Sequence, residues 1–239
     1  MPVELLRPEF DDQLRSLRDR VIAMGAFVEE MLHDAMRALV TRDVALARAV
    51  RKRDALANEF DDEIETAAVR LLALQHPMAG DLRVVASALK TVTDLERLGD
   101  YACDICKCVI ALAEAPLFTP LEDIPRMGEV VEGMIHDALG TFVSRDIVEG
   151  KRIRDRDREV DALYKRVFAQ LIEWMGREPA VVPQAVQLLL VARYLERLGD
   201  HTKNLIERVA YMETGSRWPW RSDEWKQAYP AEDAVDHEE

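Results

Sequence analysis

The chain has 239 residues, a formal net charge of −13, and 49% apolar but only 6% aromatic residues. This length and apolar content allow one large domain or two smaller ones with a true core, and they exclude a wholly disordered chain. A surface this acidic repels nucleic-acid phosphates, so we expect no nucleic-acid partner. The abundance of Ala, Leu, Arg, Asp and Glu, with few aromatic residues, favours helices over strands.

The first predicted helix carries an apolar residue at alternating intervals of four and three positions. This period is typical of a long helix packed lengthwise against other helices. The helix should end near Thr41, with Asp43 capping the next one. The predicted core positions are Phe10, Leu14, Leu17, Val21, Met24, Val28, Met31, Ala35 and Leu39.

The following helices are predicted at about residues 44–74, 78–113, 124–143, 147–175 and 181–212. Pro77, the prolines between 116 and 125, and Gly176 with Pro179 mark the main breaks, because Pro disfavours helical geometry in the residue before it. Short loops between long helices require antiparallel neighbours. The predicted fold is therefore all-α, with six long antiparallel helices arranged as two tandem three-helix bundles.

An internal repeat supports this division. The hexapeptide Leu-Glu-Arg-Leu-Gly-Asp occurs at Leu95–Asp100 and again at Leu195–Asp200, a shift of 100. Met-Leu-His-Asp-Ala from Met31 and Met-Ile-His-Asp-Ala from Met134 are shifted by 103. Duplicated sequence implies a duplicated structural unit, with three residues lost in the turn before the last helix. The predicted units are residues 1–115, 116–213 and an acidic tail, 214–239.

The tail contains Trp218, Trp220, Trp225 and Tyr229 among prolines and acidic residues. One interpretation is a disordered acidic tail. The other is a segment that folds back through its tryptophans or docks on a partner, because Trp is unusual at this density in disordered chains.

Each hexapeptide places a Glu and an Asp one helical turn apart on the same face: Glu96 with Asp100, and Glu196 with Asp200. The second predicted helix carries a polar stripe of four residues. Two of the four equivalent residues in the fifth predicted helix are aromatic. The stripe is Asp54, Asn58, Asp61 and Glu65, and the counterparts are Asp157, Asp161, Tyr164 and Phe168.

If these stripes face the hexapeptide acids, each pair would form an oxygen-rich cluster suited to iron, manganese, zinc or magnesium. The candidate metal ligands are Asp61, Glu96, Asp100, Asp161, Glu196 and Asp200. The alternative is a pair of ordinary salt-bridged faces, since Arg97 and Lys107 lie close by in sequence. Because the second stripe has lost polar positions, we expect the second cluster to hold fewer ions or to hold them more weakly.

Other candidate ligands are weaker. His33 and His136 are expected at the surface; Glu30 and His33 have the Glu-x-x-His spacing of ferritin-like di-iron bundles, but the second copy has Gly133 in place of the Glu. Cys103, Cys106 and Cys108 are interpreted as small packing residues. We find no Gly-rich phosphate loop, catalytic triad or nucleophile elbow.

Beyond these features, the chain resembles the PhoU family. The resemblance rests on the doubled Leu-Glu-Arg-Leu-Gly-Asp, on VIAMGAFVEE at 21–30, on LALQHPMAGDLR at 72–83 and on VDALY at 160–164. It covers about residues 10–212.

The resemblance implies a cytoplasmic, non-enzymatic regulator of phosphate uptake. Such a protein would connect the ATPase of the phosphate ABC transporter with a sensor histidine kinase and repress the starvation response when phosphate is sufficient. Family members bind metal through Glu/Asp-x-x-x-Asp motifs, which here match Glu96 with Asp100 and Glu196 with Asp200, and dimers are common. No apolar stretch long enough to span a membrane is seen, so membrane association would be peripheral, through partners.

Two other functions remain open from the residues alone. One is a purely structural helical interaction protein without metal. The other is a ferritin-like di-iron carboxylate oxidase, which would need Glu-x-x-His motifs on two helices.

Overall fold

The computed structural model describes residues 7–75, 77–119 and 121–228. Within them the secondary structure is helical, as predicted, and none of the helices is long and apolar enough to cross a membrane. The α-helices of the described residues are α1 (Arg7–Thr41), α2 (Val44–Lys52), α3 (Asp54–Gln75), α4 (Ala79–Leu112), α5 (Asp123–Ser144), α6 (Ile147–Asp155), α7 (Asp157–Arg177), α8 (Val182–Thr214) and α9 (Asp223–Ala228).

Helices α1 to α4 form the first bundle and α5 to α8 the second, in the same order. In each bundle a long first helix and a long last helix pack together, and a broken middle helix covers both. The fold is therefore two copies of one helical unit, as the repeat predicted.

The prediction of unbroken second and fifth helices was wrong. Each is interrupted once, at Arg53 between α2 and α3 and at Arg156 between α6 and α7. There the backbone amide bonds to the carbonyl three residues back, in 3₁₀ fashion, which turns the chain without proline or glycine. Each arginine also pairs with an aspartate of the preceding long helix, Arg53 with Asp34 at 2.9 Å and Arg156 with Asp137 at 2.6 Å.

The turn after each bundle's first helix is also duplicated. Arg42 and Arg145 adopt left-handed backbone angles, with φ of 58° and 59°. The next residue, Asp43 or Asp146, caps the following helix by accepting a hydrogen bond from a backbone amide of its first turn. The predicted cap at Asp43 is confirmed.

The two bundles pack through α4 against α8 and α1 against α5. Contacts along α1 and α5 are reciprocal: His33 pairs with Glu132 at 3.2 Å, and the equivalent His136 pairs with Glu29 at 3.0 Å. Higher numbers on one helix meet lower numbers on the other, so the helices run antiparallel about a local pseudo-twofold axis.

The contact of α4 with α8 is reciprocal and antiparallel in the same way. Tyr101 stacks on Tyr194 with ring centroids 5.9 Å apart, and the equivalent positions bring Asp94 to His201 at 2.9 Å. Asn204 donates a second hydrogen bond to the same oxygen of the buried Asp94, also at 2.9 Å. Both hydrogen bonds offset the cost of burying that carboxylate.

Two equivalent glycines let α1 and α5 approach. A Cβ on Gly25 would stand 2.3 Å from Cδ2 of Leu139, and a Cβ on Gly128 would stand 2.5 Å from Cε of Met36. Leu139 and Met36 are themselves equivalent positions of the two repeats. Each glycine therefore accepts the side chain of the opposite repeat.

We expect Gly25→Ala to lower the free energy of unfolding by about 1–3 kcal/mol, because its methyl group overlaps Leu139. Gly128→Ala should cost less, since a methionine tip moves more easily than a leucine. Chemical denaturation measures both.

The control is Gly140→Ala in α5, where nothing lies within 4 Å of the added Cβ. It should stabilise the chain by about 0.5–1 kcal/mol through helix propensity alone. Equal effects of Gly25→Ala and Gly140→Ala would contradict the close approach of α1 and α5.

Every apolar residue predicted for the first helix is buried, from Phe10 to Leu39. In α4, Leu82 has the spacing of a core residue relative to Val85 and Leu89 but is 45% exposed, because it lies in the first turn of the helix, near the end of the bundle.

The described part of the tail folds back onto the bundle. Trp220 and Trp225 are buried, and Arg154 of α6 lies over the Trp220 ring at 5.5 Å. Trp218 stays partly exposed with Arg217 and Arg221 against its ring. Of the two interpretations, residues 215–228 follow the folded-back one. Tyr229 lies outside the described residues.

Trp220→Ala should lower the free energy of unfolding by about 3–5 kcal/mol, because a large buried ring is removed. Trp218→Ala is the control and should cost much less, since that side chain is 39% exposed. Thermal unfolding of both variants checks this, and a Trp220→Ala variant as stable as the wild type would contradict docking of the tail.

Candidate functional site

The first acidic cluster lies where α3 packs against α4. Burial raises the pKa of Glu96, and the next cause is the nearby charge of Asp100. Asp61 and Asp54 of α3 also raise this pKa. The carboxylates of the two helices are thus close enough to repel each other, as the facing stripes predicted.

The other carboxyls of this cluster are shifted in the same direction. Burial raises the pKa of Asp100, with Asp54 adding to it against the opposing effect of Arg97. Burial followed by Glu65 raises the pKa of Asp61. A cation in this cluster would relieve both the burial penalty and the repulsion.

The salt-bridged alternative is also present in part. Arg97 lies 3.1 Å from Asp100 and 3.5 Å from Glu96, and Lys107 lies 2.6 Å from Asp104. Arg97 and Lys107 are exposed, so their ion pairs contribute little to stability.

A polar cleft of about 340 Å³ opens beside this cluster. Sequence reasoning placed Asp54 on the polar stripe but not among the metal ligands, whereas the structure places it in this cleft beside Asp100. The cleft is lined by Arg51, Asp54, Asp100, Cys103, Asp104 and Lys107.

The second acidic cluster, between α7 and α8, is neutralised from within. Lys203 donates hydrogen bonds to Asp157 and to Asp200, the latter at 2.9 Å. Burial lowers the pKa of Lys203, but its bonds to these carboxylates outweigh that effect and raise it. Sequence reasoning missed Lys203, although it lies three residues after the repeated hexapeptide.

Glu196 has its own partner. Arg193 Nη1 donates to Glu196 Oε1 at 2.6 Å, and its guanidinium lies over the Tyr164 ring at 5.9 Å. Burial followed by Asp200 still raises the pKa of Glu196, and Asp161 also raises it. Asp161 of α7 therefore lies near this cluster.

Across the described residues, no group of three His, Cys, Asp or Glu side chains stands in metal-ligand geometry. The carboxylates are neighbours that would have to converge on an ion. The Glu-x-x-His pair does not join them, because Glu30 pairs with Arg53 at 3.5 Å and His33 with Glu132.

The cysteines are buried beside the first cluster. Burial raises the pKa of Cys103 and Cys106 to about 12 and that of Cys108 to about 11. They are therefore protonated at neutral pH in the metal-free protein, and their burial makes them packing residues.

Glu96→Gln should stabilise the metal-free protein at neutral pH. The folded pKa of Glu96 lies above its ordinary value of 4.5, so its charged form destabilises the fold. That penalty is absent below pH 4.5 and appears as pH rises through the raised folded pKa. Thermal unfolding with a chelator present, as a function of pH, should show a gain at pH 7 that fades toward pH 4.

Glu59→Gln is the matched control, because Glu59 is exposed on the same helix as Asp61. It should leave the pH profile unchanged. A gain from Glu96→Gln that persists unchanged at pH 4 would contradict the assigned electrostatics.

Both repeats match a known family. The PhoU domain matches residues 21–109 and again residues 124–209. These ranges contain both acidic hexapeptides and most of the helices that position them.

Related proteins align along nearly the whole chain. A phosphate-specific transport system accessory protein PhoU homolog of Clostridium acetobutylicum is 37% identical over 214 residues, covering 89% of this chain and 98% of that protein. The PhoU accessory protein of Edwardsiella tarda is 35% identical over 210 residues, covering 87% and 85%.

Solved structures agree. The crystal structure of PhoU from Pseudomonas aeruginosa superposes with a TM-score of 0.84 at 34% identity, covering 87% of this chain and all of that one. The phosphate transport system regulatory protein PhoU of Streptococcus pneumoniae superposes with a TM-score of 0.82 at 32% identity, covering 87% of this chain and 98% of that one.

An all-helical chain with two such repeats is a tandem PhoU-domain protein. The chain belongs to the PhoU family, and it is a regulatory protein rather than an enzyme.

Proposed function

We propose that the protein is a cytoplasmic accessory regulator of phosphate transport. In this role it links the ATPase of the phosphate ABC transporter to a sensor histidine kinase and represses the starvation response when phosphate is sufficient. The observation that carries the proposal is the match of both repeats to the PhoU domain, together with full-length similarity to accessory proteins of the phosphate transport system.

The shape of the bundle supports an adaptor. Long helices held by a continuous core present broad rigid faces, which suits docking on partners. Regulation by such a protein requires a different affinity for two conformational states of a partner. Association with the membrane would then be peripheral, through the transporter, and the working unit is proposed to be a homodimer.

We further propose that metal binding belongs to this function. The first cluster suits a hard or borderline cation such as magnesium, manganese, iron or zinc, because its donors are carboxylate oxygens that repel one another. Asp61, Glu96 and Asp100 would hold the ion, with Asp54 beside them. A bound cation would neutralise this face and change what it attracts.

The proposed ligands of the second cluster are Asp161, Glu196 and Asp200. Their fit is poorer, because Arg193 and Lys203 already supply positive charge there. Metal binding by the chain as a whole therefore rests mainly on the first repeat.

The test is binding of the purified protein to the transporter ATPase and to the sensor kinase, with bound metal assayed in the same samples. The wild type should bind both partners. A variant without the charges of the two hexapeptides should lose metal and bind its partners at least about tenfold more weakly. That variant carries Glu96→Gln, Asp100→Asn, Glu196→Gln and Asp200→Asn.

A control variant removes the same number of acidic charges from exposed positions away from both clusters and should bind like the wild type. It carries Glu59→Gln, Glu114→Gln, Glu173→Gln and Glu178→Gln. Binding of neither partner by the wild type would contradict the adaptor function. Full partner binding by the metal-free variant would contradict only the metal requirement.

A further inference from the structure

The residue three positions after each hexapeptide contacts an aspartate of its own repeat, and the two aspartates are equivalent positions. In the first repeat Cys103 Sγ lies 3.8 Å from Asp54 Oδ1. In the second, Lys203 bonds to Asp157, the counterpart of Asp54, and also reaches Asp200 at 2.9 Å. A neutral thiol in one repeat is thus replaced by an ammonium group in the other.

A second exchange accompanies the first. Asp61 of α3 has Tyr164 as its counterpart, and Thr93 of α4 has Arg193. Arg193 lies over the Tyr164 ring and donates to Glu196 at 2.6 Å. Around an otherwise identical Glu-x-x-x-Asp, the second repeat has therefore gained two cations, while Asp161 in place of Asn58 makes up for the carboxylate lost at Tyr164.

The acids of the second repeat still have the features of a cation site. Asp157 is only 5% exposed, and its Oδ1 atom has no hydrogen-bond partner among the described residues. Gly199 leaves room for it, because a Cβ there would stand 2.6 Å from this oxygen. Oε2 of Glu196 is likewise buried without a hydrogen-bond partner in the part of the chain described.

We propose that Lys203 is the resident cation of the second repeat and keeps divalent metal out of it. This narrows the proposed function: the intact chain takes metal in its first repeat alone, and the second cluster becomes a divalent-cation site, at Asp157, Glu196 and Asp200, only when the ammonium group is removed. The location of metal in the first repeat rests on the proposed function. The exclusion by Lys203 rests on the contacts of the second repeat and is testable separately.

The experiment uses the full chain with Glu96→Gln and Asp100→Asn, which disables the first cluster and isolates the second repeat. Mn²⁺ is the probe, followed by equilibrium dialysis and by its electron paramagnetic resonance signal. With Lys203 present, this chain should bind no Mn²⁺ above background. With Lys203→Met added, it should gain one Mn²⁺ per chain, and Mn²⁺ should raise its Tm.

The matched control adds Lys165→Met, which removes one exposed lysine from α7 and leaves the cluster untouched. It should gain no Mn²⁺. Lys203→Cys, which installs the residue found in the first repeat, provides a second folded variant if the methionine destabilises the bundle. Circular dichroism confirms that each variant is folded.

Equal Mn²⁺ binding with and without Lys203, at any level, would overturn the proposal. An independent arm uses the otherwise wild-type chain with Glu196→Gln and Asp200→Asn, whose Mn²⁺ content should equal that of the wild type. A loss there would also overturn it. If instead the wild type binds no metal while Lys203→Met does, the exclusion by Lys203 stands and the proposed metal binding of the first repeat fails.

Discussion

The antiparallel packing of α4 on α8, continued by α1 on α5, is the constraint on which the other features depend. Both hexapeptides turn their leucines into this shared core, since Leu95, Leu98, Leu195 and Leu198 are fully buried. The Glu and Asp between and after those leucines consequently face the broken middle helices. Self-complementary contacts about a twofold axis repeat every residue pair in reverse, which is why the histidine–glutamate pairs and the glycine contacts each occur twice.

The same symmetry makes the differences between the repeats informative. Equivalent positions lie on equivalent helices, so a changed residue alters the local chemistry without changing the fold. Lys203 and Arg193 supply positive charge within the second cluster, where the first has Cys103 and Thr93. A buried carboxylate needs a compensating partner, and the two repeats meet that requirement differently. Duplication has therefore kept the shape of the motif while allowing its electrostatics to diverge.

Much of the fold could be predicted because long helices with apolar stripes leave a strong periodic signal. The stripe from Phe10 to Leu39, the cap at Asp43 and the order of the helices were all readable. The interruptions at Arg53 and Arg156 were not, because they contain neither proline nor glycine and depend on tertiary pairs with Asp34 and Asp137. The spacing indicated that the two acidic stripes would face each other only if their helices are neighbours, and the structure packs α3 against α4. The role of Lys203 was not predictable, because its distance to Asp157 depends on how α7 lies across α8.

The pseudo-twofold arrangement also bears on the role of the chain segment that joins the two repeats. A reciprocal interface is geometrically what two separate polypeptides would form, and the segment between α4 and α5 raises their local concentration. That segment also packs on the second bundle, because Phe118 lies against Trp174 and Gln184 donates a hydrogen bond to the carbonyl of Pro116. Cutting the chain in that segment would turn an intramolecular core into a heterodimer interface, with fragments that recognise each other through side chains already in place.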